Sequence, residues 1–124
     1  MERKVIAFDL DGVLCDRPSG KEHLKHEKYD YCYPISDNIE LVNELYNEGH
    51  YIKIYTARGM TVFKNNKSLI YEKLFLKTKQ FLDQHKVKYH ELIMGKEHYN
   101  ILIDDKVLNS ANCNLKHKIN EIIK

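Results

Sequence analysis

Residues Val5-Ile6-Ala7-Phe8 form a short apolar run that stops at two carboxylates one residue apart, Asp9 and Asp11, with Gly12 behind them. An apolar run of this length, bounded by turn residues, predicts a strand buried on both faces, as in parallel sheets. Ligands of such sheets bind at the carboxyl ends of the strands, where both acids fall. Two carboxylates at one strand tip repel each other unless a cation joins them, and a hard divalent metal is the economical candidate. Taken alone, Asp-Leu-Asp-Gly also fits a surface turn, because Asp and Gly favour turns on steric and hydrogen-bonding grounds.

The pattern then repeats. Tyr51–Tyr55 reads as a second strand followed at once by Thr56-Ala57-Arg58-Gly59. Leu92-Ile93-Met94 reads as a third, closed by Gly95 and Lys96, and Ile101-Leu102-Ile103 as a fourth, ending in Asp104-Asp105. Between the strands lie helical signals. Asp37 offers a cap with Glu40 three residues on, Ile39, Val42, Leu45 and Tyr46 make an apolar stripe, and Gly49 stops it. A longer amphipathic helix is predicted over about residues 67 to 85, with Leu69, Ile70, Leu74, Thr78, Phe81 and Leu82 inside. Leu115, Ile119 and Ile122 suggest a last helix. Residues 15 to 34 are polar, rich in tyrosine and irregular, with a helical turn expected around 23–28.

Strands alternating with helices predict an α/β chain, a Rossmann-like three-layer fold with a central, mostly parallel sheet, as one domain over residues 1–124. Right-handed crossovers would bring all strand ends to one rim. That rim would carry Asp9, Asp11, Thr56, Lys96, Asp104 and Asp105. Independent surface turns would rarely gather such a set, which weighs against the turn reading of the first motif.

Composition sets limits on the alternatives. A formal charge of +2, with the lysines spread along 124 residues, gives no dense basic block and so no expectation of a nucleic-acid partner. No apolar run approaches membrane-spanning length, and Met1-Glu2-Arg3-Lys4 leads into the first strand without a signal-peptide core. Cys15, Cys32 and Cys113 are odd in number and lack Cys-x-x-Cys spacing, so neither a disulfide framework nor a zinc knuckle is expected. A cytoplasmic protein with reduced thiols follows as the expectation.

A rim of acids, a hydroxyl and an amine suits phosphoryl transfer, which needs a metal clamp, a nucleophile, a proton carrier and donors for three equatorial oxygens. One carboxylate can attack phosphorus and form an aspartyl-phosphate while another handles the proton. Arg58 fits either a bidentate clamp on substrate or a partner for a surface carboxylate. His23 and His26 lack metal-ligand spacing and read as exposed, and Tyr29, Tyr31 and Tyr33 as loop packing.

Phe8-Asp9-Leu10-Asp11-Gly12-Val13, Ile54-Tyr55-Thr56-Ala57-Arg58-Gly59, Gly95-Lys96 and Ile103-Asp104-Asp105-Lys106 together resemble the four motifs of the haloacid dehalogenase superfamily, in order and spacing. The chain is similar to a small capless group of capsule or polysaccharide biosynthesis phosphatases. The resemblance implies Asp9 as nucleophile and magnesium ligand, and Asp11 as general acid and base that lends its carbonyl to the metal. It implies Thr56 and the Ala57 amide as holders of a phosphoryl oxygen, and Lys96, ahead of Lys106, as the cation that neutralises developing charge. Asp104 would ligate Mg2+, with Asp105 on a metal water or on Lys96. Adjacent acids replace the family's more common spaced pair here, which leaves the division of work between Asp104 and Asp105 open. Asn109 is a further candidate polar contact.

No insertion is long enough for a cap domain, so the open site needs either a bulky substrate that covers itself or another subunit as lid, in a possible homo-oligomer. A magnesium-dependent phosphomonoesterase acting on a small phosphorylated metabolite, such as a sugar or polyol phosphate, is the expected function. A nucleotidase or nucleic-acid end phosphatase is the enzymatic alternative. A signalling receiver domain would place its lysine after the last acids rather than before them. A catalytically silent binding module would have no need of the nucleophile.

Overall fold

The computed structural model describes residues 2–111 and 114–123; Cys113 lies outside them. In chain order the elements are strand β1 (Val5–Phe8), the short strands β2 (Cys15–Asp16) and β3 (Tyr33–Pro34), helix α1 (Ser36–Asn47) and strand β4 (Tyr51–Thr56). Helices α2 (Lys67–Ile70) and α3 (Leu76–Gln84), strand β5 (Glu91–Met94) and helix α4 (Leu115–Ile123) follow. A 3-10 segment at His26–Tyr31 interrupts the long loop, three residues later than the turn expected there.

The central sheet is parallel, in the order β1-β4-β5, with Phe8 opposite Ile54 and Thr56 opposite Met94. The chain is thus α/β with a parallel sheet, as the alternation of elements predicts. In β4 the residues on one face, Ile52, Ile54 and Thr56, are buried, and those on the other are more open. The core collects Phe8, Leu10, Leu14, Val42, Leu45 and Leu74, among others, with Ile52 and Ile54.

Two expectations about the sheet are corrected. β1 is not buried on both faces: Val5 is 64% exposed and only Phe8 is fully covered. Residues 101–103 are not a strand, and Ile101 and Ile103 are 78% and 93% exposed. β1 is an edge strand of the sheet, with no strand paired on its free side among the described residues.

Helix α1 starts one residue before Asp37 and is entered through Ile35, which makes no side-chain cap; Asp37 sits in the first turn instead, where its charge favours the helix dipole. Residues 67–84 are helical throughout, but Tyr71–Phe75 form a π-helical turn between α2 and α3. The buried side chains Ile70, Leu74, Thr78 and Leu82 recur every four residues. On a regular α-helix that spacing drifts by about 40° per step, and a wider turn reduces the drift and keeps the stripe facing inward. Asn66 caps this stretch by accepting from the Leu69 amide. In α4, Ile119 and Ile123 are buried, whereas Ile122, expected inside, is 62% exposed. Among the described residues no helix is long and apolar enough to cross a membrane.

The loop after β4 is seated on α2 and the π-helical turn through Gly59. This glycine has φ of +81°, and a Cβ built on it would lie 2.6 Å from Leu74 Cδ1 and 3.2 Å from Ile70 Cγ1. Gly59→Ala therefore combines left-handed strain with a clash against a fully buried leucine. It is expected to cost about 1–3 kcal/mol, read as a lower urea midpoint with an unchanged slope.

Candidate active site

Tight turns place the motif residues at one end of the sheet. After β1 the chain bends back on itself: the amides of Val13, Leu14 and Cys15 all reach the Leu10 carbonyl, and the Gly12 amide donates to the Cys15 carbonyl at 2.7 Å. Gly12 supports this turn with φ of +85°. Asp9 is left at the strand tip with its carboxylate oriented on both sides. Its Oδ1 accepts the Leu10 amide at 2.8 Å, and its Oδ2 lies 3.4 Å from Lys96 Nζ. The Asp9 side chain is 38% exposed and Lys96 19%. Lys96 reaches it from the end of β5, anchored by a 3.0 Å bond from its amide to the Thr56 carbonyl. Lys106 is exposed, so Lys96 is the lysine beside Asp9.

Thr56 is buried, and its Oγ1 accepts the Arg58 amide at 3.1 Å. Its hydroxyl proton remains available for donation. Asp9, Asp11, Ala57 and Arg58 line a cleft of about 310 Å³ together with Arg17, Lys28, Tyr29, Thr61 and His98.

The sequence left Arg58 open between substrate and a surface carboxylate. Its partner is a carboxylate, but not a surface one. Arg58 Nε lies 3.0 Å from Asp11 Oδ2, and its terminal nitrogen Nη2 3.1 Å from Oδ1, in a fork-to-carboxylate pair whose side chains are 2% and 26% exposed. The same terminal nitrogen contacts Cys15 Sγ at 3.3 Å and Cys32 Sγ at 3.0 Å. The Tyr29 ring lies against the guanidinium, 4.9 Å from its carbon. Burial works against this charge, but hydrogen bonding and attraction to Asp11 outweigh it, so the Arg58 pKa is raised and the group stays cationic. The two thiols are shifted in opposite directions. A hydrogen bond to Cys32, with burial next, pushes the Cys15 thiol up, and the same bond holds Cys32 below the usual thiol value.

Tyr29 does pack the loop, and its hydroxyl also accepts the Gly59 amide at 2.9 Å, tying the long loop to the one after β4. Burial raises its pKa. Arg17 and Lys28 lie 5.4 and 5.3 Å from the same ring. His26 is half-buried, stacked on Phe63 at 5.5 Å, whereas His23 is exposed as expected. Thr61 Oγ1 and His98 Nε2 pair at 3.1 Å across the cleft. Arg17, Lys28, Thr61 and His98 carry no motif, and only tertiary proximity reveals them.

The structure brings together Asp9, Asp11, Thr56, Ala57, Arg58 and Lys96. It does not bring Asp104 and Asp105 to them. Both are exposed, and among the described residues neither joins Asp9 or Asp11 in a group of three ligand atoms within 4.8 Å of one another. Asp104 turns back on its own chain, accepting the Lys106 amide at 2.9 Å, and that bond chiefly holds its pKa low. Asn109 is exposed, and the Ala111 amide donates to its side-chain oxygen.

A hard cation prefers oxygen ligands and open positions for water. The half-open Asp9 carboxylate fits that requirement, and the Asp11 main-chain carbonyl is an oxygen donor on the same turn. The Asp11 carboxylate is less suited, being occupied by Arg58. A second group, Asp11 with Cys15 and Cys32, has ligand atoms within 4.8 Å of one another. Its thiols are soft donors, and the Arg58 guanidinium already supplies the positive charge there.

Comparison with known proteins gives a family and a structural relative. Residues 4–103 match the family described as Polynucleotide kinase 3 phosphatase. A solved structure from Vibrio cholerae superposes with a TM-score of 0.75 at 29% identity, over 98% of this chain and 99% of that one. No curated protein matches the chain.

Proposed function

The chain belongs to the polynucleotide kinase 3 phosphatase family, a haloacid-dehalogenase-like family, and on that footing we propose that it hydrolyses phosphomonoesters through an aspartyl-phosphate on Asp9. One observation carries this: an accessible carboxylate at a strand tip, oriented by its own turn, with Lys96 Nζ at 3.4 Å and Thr56 at the end of the next strand. Asp9 Oδ2 attacks phosphorus. Lys96, the Thr56 hydroxyl and the Ala57 amide take up charge on the equatorial oxygens, where fixed donors are worth most. Asp9 and the Asp11 carbonyl would hold Mg2+, which when bound supplies further charge neutralisation at the phosphoryl oxygens.

Asp11 is the proton carrier in this scheme, and its carboxylate starts inside the Arg58 fork. The fork must open before Asp11 can protonate the leaving group. A phosphoryl dianion drawn to the same guanidinium supplies the means, because Arg binds phosphate in the same bidentate way as carboxylate. Arg58 thereby serves both partners that its sequence position allowed. Asp104 and Asp105 enter as additional metal acids on the superfamily resemblance alone.

For the substrate we favour the 3′-phosphate end of a nucleic acid over a sugar or polyol phosphate. The family's name points there, and Arg17 and Lys28 flank Tyr29 on the cleft wall, where neighbouring phosphates and a base would find cations and a ring. A net charge of +2 argued against nucleic acid, but binding answers to local charge. A long substrate also covers an open site without a second subunit as lid.

The test is phosphate release from a 3′-phosphorylated oligonucleotide and from a panel of sugar phosphates at equal concentration, with and without chelator. The oligonucleotide is expected to react faster, with chelator stopping both. Faster sugar-phosphate turnover restores the metabolite substrate, and full activity in excess chelator removes the metal. Asp104→Asn is expected to raise the magnesium concentration needed for half-activity more than Asp105→Asn. The reverse order would exchange their roles.

A further inference from the structure

Cys15 and Cys32 are 17 residues apart with no motif between them, yet β2 and β3 bring their sulfurs within 4.8 Å of each other and of an Asp11 carboxylate oxygen. Cys15 is fully buried and Cys32 is partly open. Both sulfurs touch the Arg58 nitrogen that also binds Asp11. A metal is a poor occupant, since a guanidinium already fills the cationic position.

We propose that Cys15 and Cys32 are a reversible oxidation site for peroxides, closing to a disulfide that takes the sulfurs away from Arg58 and disturbs its hold on Asp11. The partly open Cys32 sulfur attacks hydrogen peroxide and breaks the O–O bond, giving a sulfenic acid and one water. The buried Cys15 sulfur then attacks the sulfenic sulfur, forming the S–S bond and releasing the second water. Two electrons and two thiol protons leave the pair, and one peroxide becomes two waters. The sulfurs must close to about 2.05 Å, which shifts the β2–β3 ends beside the site. The expected loss of activity is about 10²-fold, the scale of an ångström-sized misplacement of catalytic groups. That loss rests on the proposed phosphatase function, whereas the cross-link does not.

The experiment uses the Cys113→Ser chain, so that only this pair can react, treated with hydrogen peroxide and then dithiothreitol. Non-reducing peptide mass spectrometry is expected to show Cys15 joined to Cys32, and phosphate release is expected to fall and return on reduction. In Cys15→Ser the resolving sulfur is gone, so Cys32 is expected to over-oxidise to forms that dithiothreitol does not reverse. Peroxide treatment that leaves both thiols free, or oxidises Cys32 without joining it to Cys15, overturns the pair as a site. A complete cross-link with unchanged activity overturns its link to Asp11. A reduced chain that releases no phosphate from any ester contradicts the phosphatase function instead, and the cross-link is still read by mass.

Discussion

Replacing Asp9 with asparagine is expected to reduce phosphate release by roughly 10⁴–10⁶-fold, the scale seen when a covalent nucleophile is removed. The amide keeps the size of the carboxylate and can still accept the Leu10 amide that orients it at 2.8 Å. What it loses is the attacking anion and the ion pair with Lys96. Asp11→Asn is expected to behave differently. It removes a proton carrier worth typically about 10²–10⁴-fold, but leaves the nucleophile in place. An activated aryl phosphate, whose leaving group needs little protonation, should then still phosphorylate Asp9 while the following hydrolysis slows. Equal and complete loss of phosphoenzyme in both folded variants would show that the two acids have been assigned wrongly.

The second large effect concerns Arg58, and it is one of stability. Arg58→Met leaves the Asp11 carboxylate and two sulfurs facing a cavity wall without their cation. Removing one partner of a buried ion pair costs about 3–5 kcal/mol, and the lower end applies because Asp11 is 26% exposed. About 3 kcal/mol is a large part of the 5–15 kcal/mol that holds a typical domain together. The double variant Arg58→Met/Asp11→Asn removes the stranded charge as well and is expected to be more stable than Arg58→Met alone. Urea unfolding of the two single variants and the double measures this coupling. A single-variant loss below about 1 kcal/mol, or a double variant no more stable than Arg58→Met, would mean that the fork contributes little.

Much of the site was legible because it is built from residues that directly follow strands. Asp9 after β1, Thr56 at the end of β4 and Lys96 after β5 converge for a topological reason: parallel strands put their carboxyl ends on one edge of the sheet. The helix over 67–84 was legible from its apolar spacing, though the π-helical turn that keeps Ile70, Leu74, Thr78 and Leu82 aligned was not. Three features depended on contacts that no local pattern encodes. Arg58 finds Asp11 across 47 residues, and Cys15 meets Cys32 only because β2 and β3 pair. The run at 101–103 has strand composition, yet it does not pair, and β1 keeps a free edge. The consequence reaches the chemistry, since Asp104 and Asp105 stand at the end of that run and outside the cleft.

The central claim is that phosphate passes through a covalent bond to Asp9. Mixing the enzyme with a ³²P-labelled phosphomonoester, quenching with acid within one turnover and mapping the labelled peptide tests it most directly. Label is expected on the peptide carrying Asp9, lost on treatment with hydroxylamine as an acyl phosphate is, and absent from Asp9→Asn. Label mapped to another residue, or undiminished turnover by folded Asp9→Asn, would contradict it.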